Sequence, residues 1–163
     1  HQTTESYLDA VRPGLALYGG YVSERAMQRG DLRPAYRLKA RVIRLDKLSV
    51  GDGVSYHRRW TTDKPAWIAT LGVGHADGYP SGATKGCEVM VRGRMFPVIG
   101  SVSASHTEIL VGDERAVEVG DEATLVGPDH PALNPNEVAR RAAFSEYNMF
   151  MHLSPKLRRL VRS

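Results

Sequence analysis

The sequence is poor in cysteine and contains no long apolar run. Cys87 is the only cysteine, which excludes a disulfide within the chain and favours a reducing compartment such as the cytoplasm. No stretch approaches the ~20 consecutive apolar residues that a membrane-spanning helix needs, so no membrane partner is predicted. The chain opens at His1 without a signal-peptide pattern, and we interpret it as a fragment or a processed product.

Several common functional motifs are also lacking. The six histidines and one cysteine show no zinc-ligand spacing, so no metal site is predicted. There is no P-loop, no dinucleotide fingerprint and no Gly-x-Ser-x-Gly elbow. The net charge of +4 weakly favours acidic ligands, including nucleic acids. Nucleic-acid binding remains only a minor alternative, because the 22 basic residues are spread along the chain and the basic C-terminal segment lacks interleaved aromatic residues.

Short apolar segments separated by turn signals dominate the chain after residue 35. Residues 36–45 alternate loosely between apolar and polar, which predicts a long, half-exposed strand. Many short strands at close spacing predict a mainly β fold, a barrel or a sandwich. The further predicted strands are 53–57, 66–73, 87–92, 95–104, 107–111 and 122–126, with a last basic strand at 156–161.

One helix is well signalled near the C-terminus. Asn134 is the predicted N-cap and Pro135 the first helical residue, and the helix is expected to end near Ala143. Glu137, at the third helical position, predicts a capping box. At the other end of the chain, the apolar run 11–18 predicts a buried strand leading into a turn, and the polar residues 20–33 predict a connection.

Tyr56 and Arg12 are candidates for chemistry. A phenol ordinarily has a pKa near ~10 and needs a cation or a hydrogen-bond donor beside it to act as a base near neutral pH. The residues alone favour a buried strand tyrosine with a satisfied hydroxyl. Arg12 precedes a Pro13-Gly14 turn whose backbone amides suit a phosphate, although a structural arginine paired with a carboxylate is the simpler interpretation. His75 lies in a tight turn after an apolar strand, where a structural histidine is the simpler interpretation too.

Seven segments nevertheless share their order and spacing with one family, and together they resemble alanine racemase from about residue 10 to residue 159. They are Val11-Arg12-Pro13-Gly14 with Leu17-Tyr18-Gly19, Leu38-Lys39-Ala40-Arg41-Val42, Gly53-Val54-Ser55-Tyr56, Asp77-Gly78-Tyr79-Pro80, Pro97-Val98-Ile99-Gly100, Val119-Gly120-Asp121-Glu122-Ala123 and Glu146-Tyr147. The resemblance implies a C-terminal β-barrel or β-sandwich domain with one or two short helices. Residues 1–32 would be the last strand and helix of an N-terminal (β/α)8 barrel, and residues 33–163 the β domain.

The resemblance also implies a role for each matching residue. Tyr56 matches the tyrosine that exchanges the proton at the substrate α-carbon, in an active site completed by the partner subunit of a homodimer. Arg12, Gly14 and Tyr147 match contacts to pyridoxal phosphate, at its pyridine nitrogen and its phosphate. The lysine that carries this cofactor lies in the family's N-terminal half, outside this sequence.

Four positions depart from the family pattern near the expected substrate pocket. His75 replaces a tyrosine, Ser101 replaces an arginine, and Ala104 and Ser105 replace a methionine–aspartate pair. His75 and the main-chain amide of Ala104 remain the predicted substrate contacts. His75 can still donate a hydrogen bond.

The function implied is that of a cytoplasmic, pyridoxal-phosphate-dependent isomerase that interconverts L- and D-alanine, the latter a precursor of peptidoglycan. This chain would supply the tyrosine acid/base and would be inactive alone, without the missing barrel half. The alternative is a non-catalytic binding or dimerisation module derived from the same fold.

Overall fold

The computed structural model describes residues 9–21, 23–27 and 30–161. The β-strands are β1 (Leu38–Leu48), β2 (Gly53–Val54), β3 (Trp60–Thr61), β4 (Ala66–Leu71), β5 (Glu88–Val91), β6 (Arg94–Ile99), β7 (Thr107–Gly112) and β8 (Glu122–Val126). The α-helices are α1 (Glu24–Met27), α2 (Pro135–Ala142) and α3 (Glu146–Met151), and short 3-10 helices connect several elements.

Six strands form a closed antiparallel barrel in the order β1-β4-β7-β6-β5-β8, while β2 and β3 pair separately. The two halves of β1 pair with different neighbours, Leu38–Arg41 with β8 and Val42–Leu48 with β4. A register shift lies between Val42 and Arg44, and such an irregularity bends a strand and increases its twist. One long strand therefore turns a corner of the barrel. The predicted mainly β fold is confirmed, and it is a barrel.

The core fills the barrel and continues under α2 and α3. Burial alternates along β7, because successive side chains of a strand point to opposite faces. The large, fully buried side chains of the core include Leu71, Tyr79, Ile109, Leu125, Leu133 and Met149. The turn after β4 and both C-terminal helices are thus anchored to the same core as the strands.

The predicted helix is confirmed as α2, and so are its N-cap, Asn134, and its first residue, Pro135. The Asn134 side chain accepts a hydrogen bond from the backbone N–H of Asn136 at 3.0 Å. Glu137 binds Arg140 and Arg141 instead of closing the predicted capping box. The helix ends at Ala142, followed by Ala143 in the left-handed conformation (φ 52°).

Two predicted strands are wrong. Residues 14–18 form a 3-10 helix, and Val11 and Leu17 are exposed, so this apolar run is not a buried strand in the described part of the chain. Residues 156–161 have no strand structure, and Val161 is 98% exposed. The physical reason for the latter is closure: each barrel strand already has two neighbours, which leaves no edge for another strand. Arg162, also assigned to that strand, lies outside the described residues.

Two further strand predictions were too long. The strand at 53–57 stops after Val54, and Tyr56 begins a 3-10 helix, Tyr56–Arg58. The strand at 95–104 ends at Ile99, because Gly100 takes φ +68°, which strands do not use. The short strand β3 was not predicted.

Candidate functional site

Tyr56 stands on an exposed turn between β2 and β3. Its side chain is 73% exposed, so the expectation of a buried strand tyrosine is wrong. Ser55, immediately before it, is fixed on both sides: its Oγ donates to Glu108 Oε2 at 2.6 Å and accepts the Ser101 N–H at 2.9 Å. The Arg58 guanidinium donates to the Gly51 carbonyl and closes the other end of the turn. The phenol is therefore presented outward from a tethered backbone.

His75 and Ala104 lie on adjacent segments. The His75 N–H donates to Ser103 O at 2.9 Å, and the Ala76 N–H donates to Ala104 O at 3.0 Å. This approach requires glycine at position 74, where a Cβ atom would lie 2.2 Å from Ser103 O. The His75 and Ala104 side chains are both exposed. The two predicted substrate contacts thus face solvent from neighbouring loops.

The buried Tyr79 anchors the turn that carries His75. Its side chain is fully buried, and burial raises the pKa of its hydroxyl, with a further contribution from Cys87. The Asp77 carboxylate accepts the Gly74 N–H at 2.9 Å and closes the turn locally. Tyr79 is therefore a neutral core residue, and its role is structural.

Arg12, Gly14 and Tyr147 lie on two segments from opposite ends of the chain that pack together. Arg12 and Gly14 precede and open the 3-10 helix Gly14–Tyr18, which packs against α3 through Tyr18 and Phe150, with ring centroids 5.9 Å apart. A Cβ atom at Gly14 would meet nothing within 4 Å, so this backbone is open to a ligand. Tyr147 on α3 is 57% exposed. The exposed guanidinium of Arg12, the open backbone of Gly14 and the exposed phenol of Tyr147 are groups suited to an anionic ligand such as a phosphate.

Contacts connect the Tyr56 turn, the segments of His75 and Ala104, and the helix that carries Tyr147, one after the other. The Asp77 carbonyl, in the His75 turn, accepts the Ser154 N–H at 3.2 Å, just beyond α3. The 103–104 loop follows Gly100 and Ser101, which hold Ser55. The candidates therefore occupy neighbouring segments, with Tyr56 at one end of the series and Tyr147 at the other.

Two residues that support the site, Glu108 and Asn136, were not predicted from the sequence. Glu108 is the one charged residue of β7, and this was the only sequence signal that its side chain has a polar partner. Asn136 is 1% exposed within α2, and its side chain accepts the Tyr21 N–H at 3.0 Å and donates to Gly19 O at 3.1 Å. Because helix α2 is short and mostly polar, nothing in the sequence indicates that Asn136 is buried. Nor does the sequence indicate that Asn136 bonds Tyr21, which lies 115 residues away.

Residues 35–161 match the family model for the alanine racemase C-terminal domain. This chain belongs to the alanine racemase family. Among the relatives, the alanine racemase of Chlorobaculum tepidum is 33% identical over 157 residues, 96% of this chain and 40% of its own length. That of Alteromonas mediterranea is 36% identical over 151 residues, 93% of this chain and 41% of its own length. The chain thus spans about two-fifths of these relatives.

Solved alanine racemase structures share the fold. The biosynthetic alanine racemase of Pseudomonas aeruginosa superimposes with a TM-score of 0.76 at 32% identity, over 88% of this chain and 40% of that chain. The alanine racemase of D-cycloserine-producing Streptomyces lavendulae gives a TM-score of 0.79 at 28% identity, over 88% of this chain and 38% of that chain. The resemblance noted in the sequence is confirmed. No described helix is long and apolar enough to cross a membrane.

Proposed function

We propose that this chain is the C-terminal part of a pyridoxal-phosphate-dependent racemase that interconverts L- and D-alanine. The observation that carries the proposal is the outward presentation of Tyr56 from a tethered turn, in a domain of the alanine racemase family. A core tyrosine cannot reach a substrate, whereas this phenol is free to enter a site completed by another surface. The cytoplasm and a homodimer with shared active sites are part of the proposal.

In this proposal each candidate has a defined task. When bound, pyridoxal phosphate withdraws electrons from the α-carbon of an amino acid and makes its α-proton more acidic. Tyr56 takes or returns that proton on one face of the α-carbon, in the site of the partner subunit. His75 and the Ala104 main-chain amide orient the substrate carboxylate.

The cofactor contacts come from the two ends of the chain. Arg12 faces the pyridine nitrogen, where its permanent charge disfavours protonation of the ring. The Gly14 backbone and the Tyr147 hydroxyl hold the phosphate. Residues 1–32 would belong to the barrel that carries the cofactor lysine, and residues 33–163 to the β domain. Of the first range, residues 1–8, 22 and 28–29 lie outside the described residues. Because the lysine is not in this chain, the chain alone is expected to be inactive.

The test is Tyr56→Phe in the full-length protein that contains this chain, loaded with pyridoxal phosphate. We expect solvent exchange of the α-proton to fall at least ~100-fold for one alanine enantiomer, the usual loss when a general acid–base group is removed. Exchange of the other enantiomer and the visible absorbance of bound cofactor should be retained. Tyr18→Phe, which removes the hydroxyl of another exposed tyrosine, is the matched control.

Unchanged exchange of both enantiomers in Tyr56→Phe would remove the proposed role. A full-length protein that neither takes up pyridoxal phosphate nor exchanges α-protons would instead support the alternative, a non-catalytic dimerisation module built on the same fold.

A further inference from the structure

One hydroxyl ties the Tyr56 turn to the barrel wall. Ser55 Oγ donates to Glu108 Oε2 on β7 at 2.6 Å and accepts the backbone N–H of Ser101 at 2.9 Å. A serine hydroxyl has one donor and two acceptor positions, so both bonds form together. The bond to Glu108 has a charged acceptor, and such bonds are shorter and stronger than neutral ones.

The space around this hydroxyl is closed. Gly100 lies against it, and a Cβ atom there would sit 2.2 Å from Ser55 Oγ and 3.1 Å from Glu108 Oε2. Gly100 also has φ +68°, which glycine adopts without steric cost. The three residues 55, 100 and 108 therefore form a close-fitting bracket, which we call the Ser55 bracket.

The backbone held by the Ser55 bracket is strained. Ser55, His57 and Arg58 all have positive φ, at 68°, 59° and 48°. Residues other than glycine avoid this region, and such strain persists only where the surroundings impose it. Because the Tyr56 side chain is largely exposed, its packing cannot impose it. The position of the phenol must come from the backbone on either side.

We propose that Ser55 and Glu108 are positioning residues for Tyr56, holding the strained turn in the one conformation that points the phenol at the α-carbon. Without the bracket, the turn relaxes toward ordinary φ values and the phenol moves away. This inference rests on the proposed function, because it assigns a position to the residue that there moves the proton. A misplacement of about 1 Å at a reacting group lowers a rate by up to about 100-fold.

The experiment compares Glu108→Ala, Glu108→Gln and Ser55→Gly in the full-length protein with bound cofactor. We expect Glu108→Ala and Ser55→Gly to slow α-proton exchange by about 10- to 100-fold for the enantiomer that Tyr56→Phe affects. The other enantiomer and the cofactor content should stay within about twofold of the unmodified protein. Glu108→Gln keeps an acceptor oxygen for Ser55 and should recover most of the rate. Glu114→Ala, at an exposed glutamate, is the matched control.

Ser55→Gly guards against a folding defect, because glycine accepts φ 68° and the change removes only the hydroxymethyl group. Combining it with Glu108→Ala should add little to either single loss, since both remove the same hydrogen bond. Equal slowing of both enantiomers would show that the Ser55 bracket is merely structural, and no slowing of either would refute the inference.

Amide hydrogen exchange of residues 53–61 tests the bracket independently of the cofactor. The backbone amides of this turn should exchange about tenfold faster in Glu108→Ala than in the control, while the barrel strands keep their protection. If Tyr56→Phe leaves both enantiomers unaffected, the proposed function fails. The amide result then still decides whether the bracket holds the turn, and unchanged amide exchange would overturn the inference.

Discussion

Glu137 on α2 is the acidic residue whose environment most clearly changes its ionisation. Hydrogen bonds from Arg140 and then Arg141, at 2.8 and 2.6 Å, lower the pKa of Glu137 to about 2 against the opposing effect of partial burial. Because the folded-state pKa lies below the unfolded value, this stabilisation is complete above about pH 4.5 and is lost as the pH falls through about 2.

We therefore predict that Glu137→Gln lowers the free energy of unfolding by about 1 kcal/mol at pH 7, the upper end for exposed ion pairs. The difference from the unmodified protein should shrink steadily as the pH is lowered from 4.5 toward 2. Urea unfolding at a series of pH values measures this, with Glu114→Gln as the control. A difference that is the same at every pH would contradict the prediction.

Single residues of the site were only partly predictable. The motif Gly53-Val54-Ser55-Tyr56 identified Tyr56 as a candidate. The pattern of the surrounding residues favoured a buried strand tyrosine, whereas the side chain is exposed. The turn depends on left-handed backbone at Ser55 and His57, which neither residue type signals. Glu108 supplies the restraint from 53 residues away, so nothing local to Tyr56 indicates it. The assignments of Arg12, Gly14, Tyr147, His75 and Ala104 stay predictions.

At the scale of elements, α2 is both a part of the core and a link to the N-terminal segment. Asn136 inserts its amide between Gly19 and Tyr21 and pairs with the carbonyl of one and the N–H of the other. Buried backbone groups that lose such partners cost about 1 to 3 kcal/mol each. The Asn136 side chain thus gives residues 19–21 the backbone hydrogen bonds that a neighbouring strand would otherwise give.

We predict that Asn136→Ala lowers the free energy of unfolding by roughly 2 to 4 kcal/mol, because two buried backbone groups lose their partner. Limited proteolysis should also cut residues 9–34 faster in this variant. Asn148→Ala is the control, since its side chain makes no hydrogen bond to the described residues. A loss no larger than that of the control would show that water replaces the amide.

Elements inside the barrel were predicted better than those outside it. The strand at 122–126 was predicted correctly, because a short apolar run bounded by turns is typical of a strand that packs on the core. The same signal at 11–18 misled, since a run of apolar residues does not say which surface covers it. Helix α3 was missed because its six residues, four of them large and apolar and two polar, are too few to show a helical period.

The closed barrel is the central feature of the whole molecule, and the reactivity of the buried Cys87 can be used to measure whether it is intact. This thiol is fully buried, and burial, opposed by Arg141, raises the pKa of Cys87 to about 11. Only the thiolate reacts with disulfide reagents, so both access and ionisation protect it.

We predict that Cys87 in the native protein reacts with a disulfide reagent at neutral pH at least ~1,000-fold more slowly than in the urea-unfolded protein, the ratio set by a typical folding equilibrium. The reaction should accelerate across the same urea range in which the β-sheet circular dichroism is lost. Rapid reaction well before that transition would show that the barrel wall opens locally around Cys87.

Closure itself was not visible in the sequence. The mainly β class followed from alternation and turn signals, whereas the strand order β1-β4-β7-β6-β5-β8 depends on pairings between distant segments. The bend in β1 that lets one strand serve two neighbours has no sequence signature, because its Ile43 fits a straight strand equally well.

The hydrogen bonds of Asn136 to Gly19 and Tyr21 limit where this protein can be divided into two separately expressed polypeptides. A cut between residues 34 and 35, where the family model begins, would place Gly19 and Tyr21 on one polypeptide and Asn136 on the other. Reassembly would then have to recover a buried polar contact between separately folded halves. A cut at or before residue 9 keeps both partners together. Co-expressed halves divided there should associate more readily, which makes that position the better place to divide the protein into two parts.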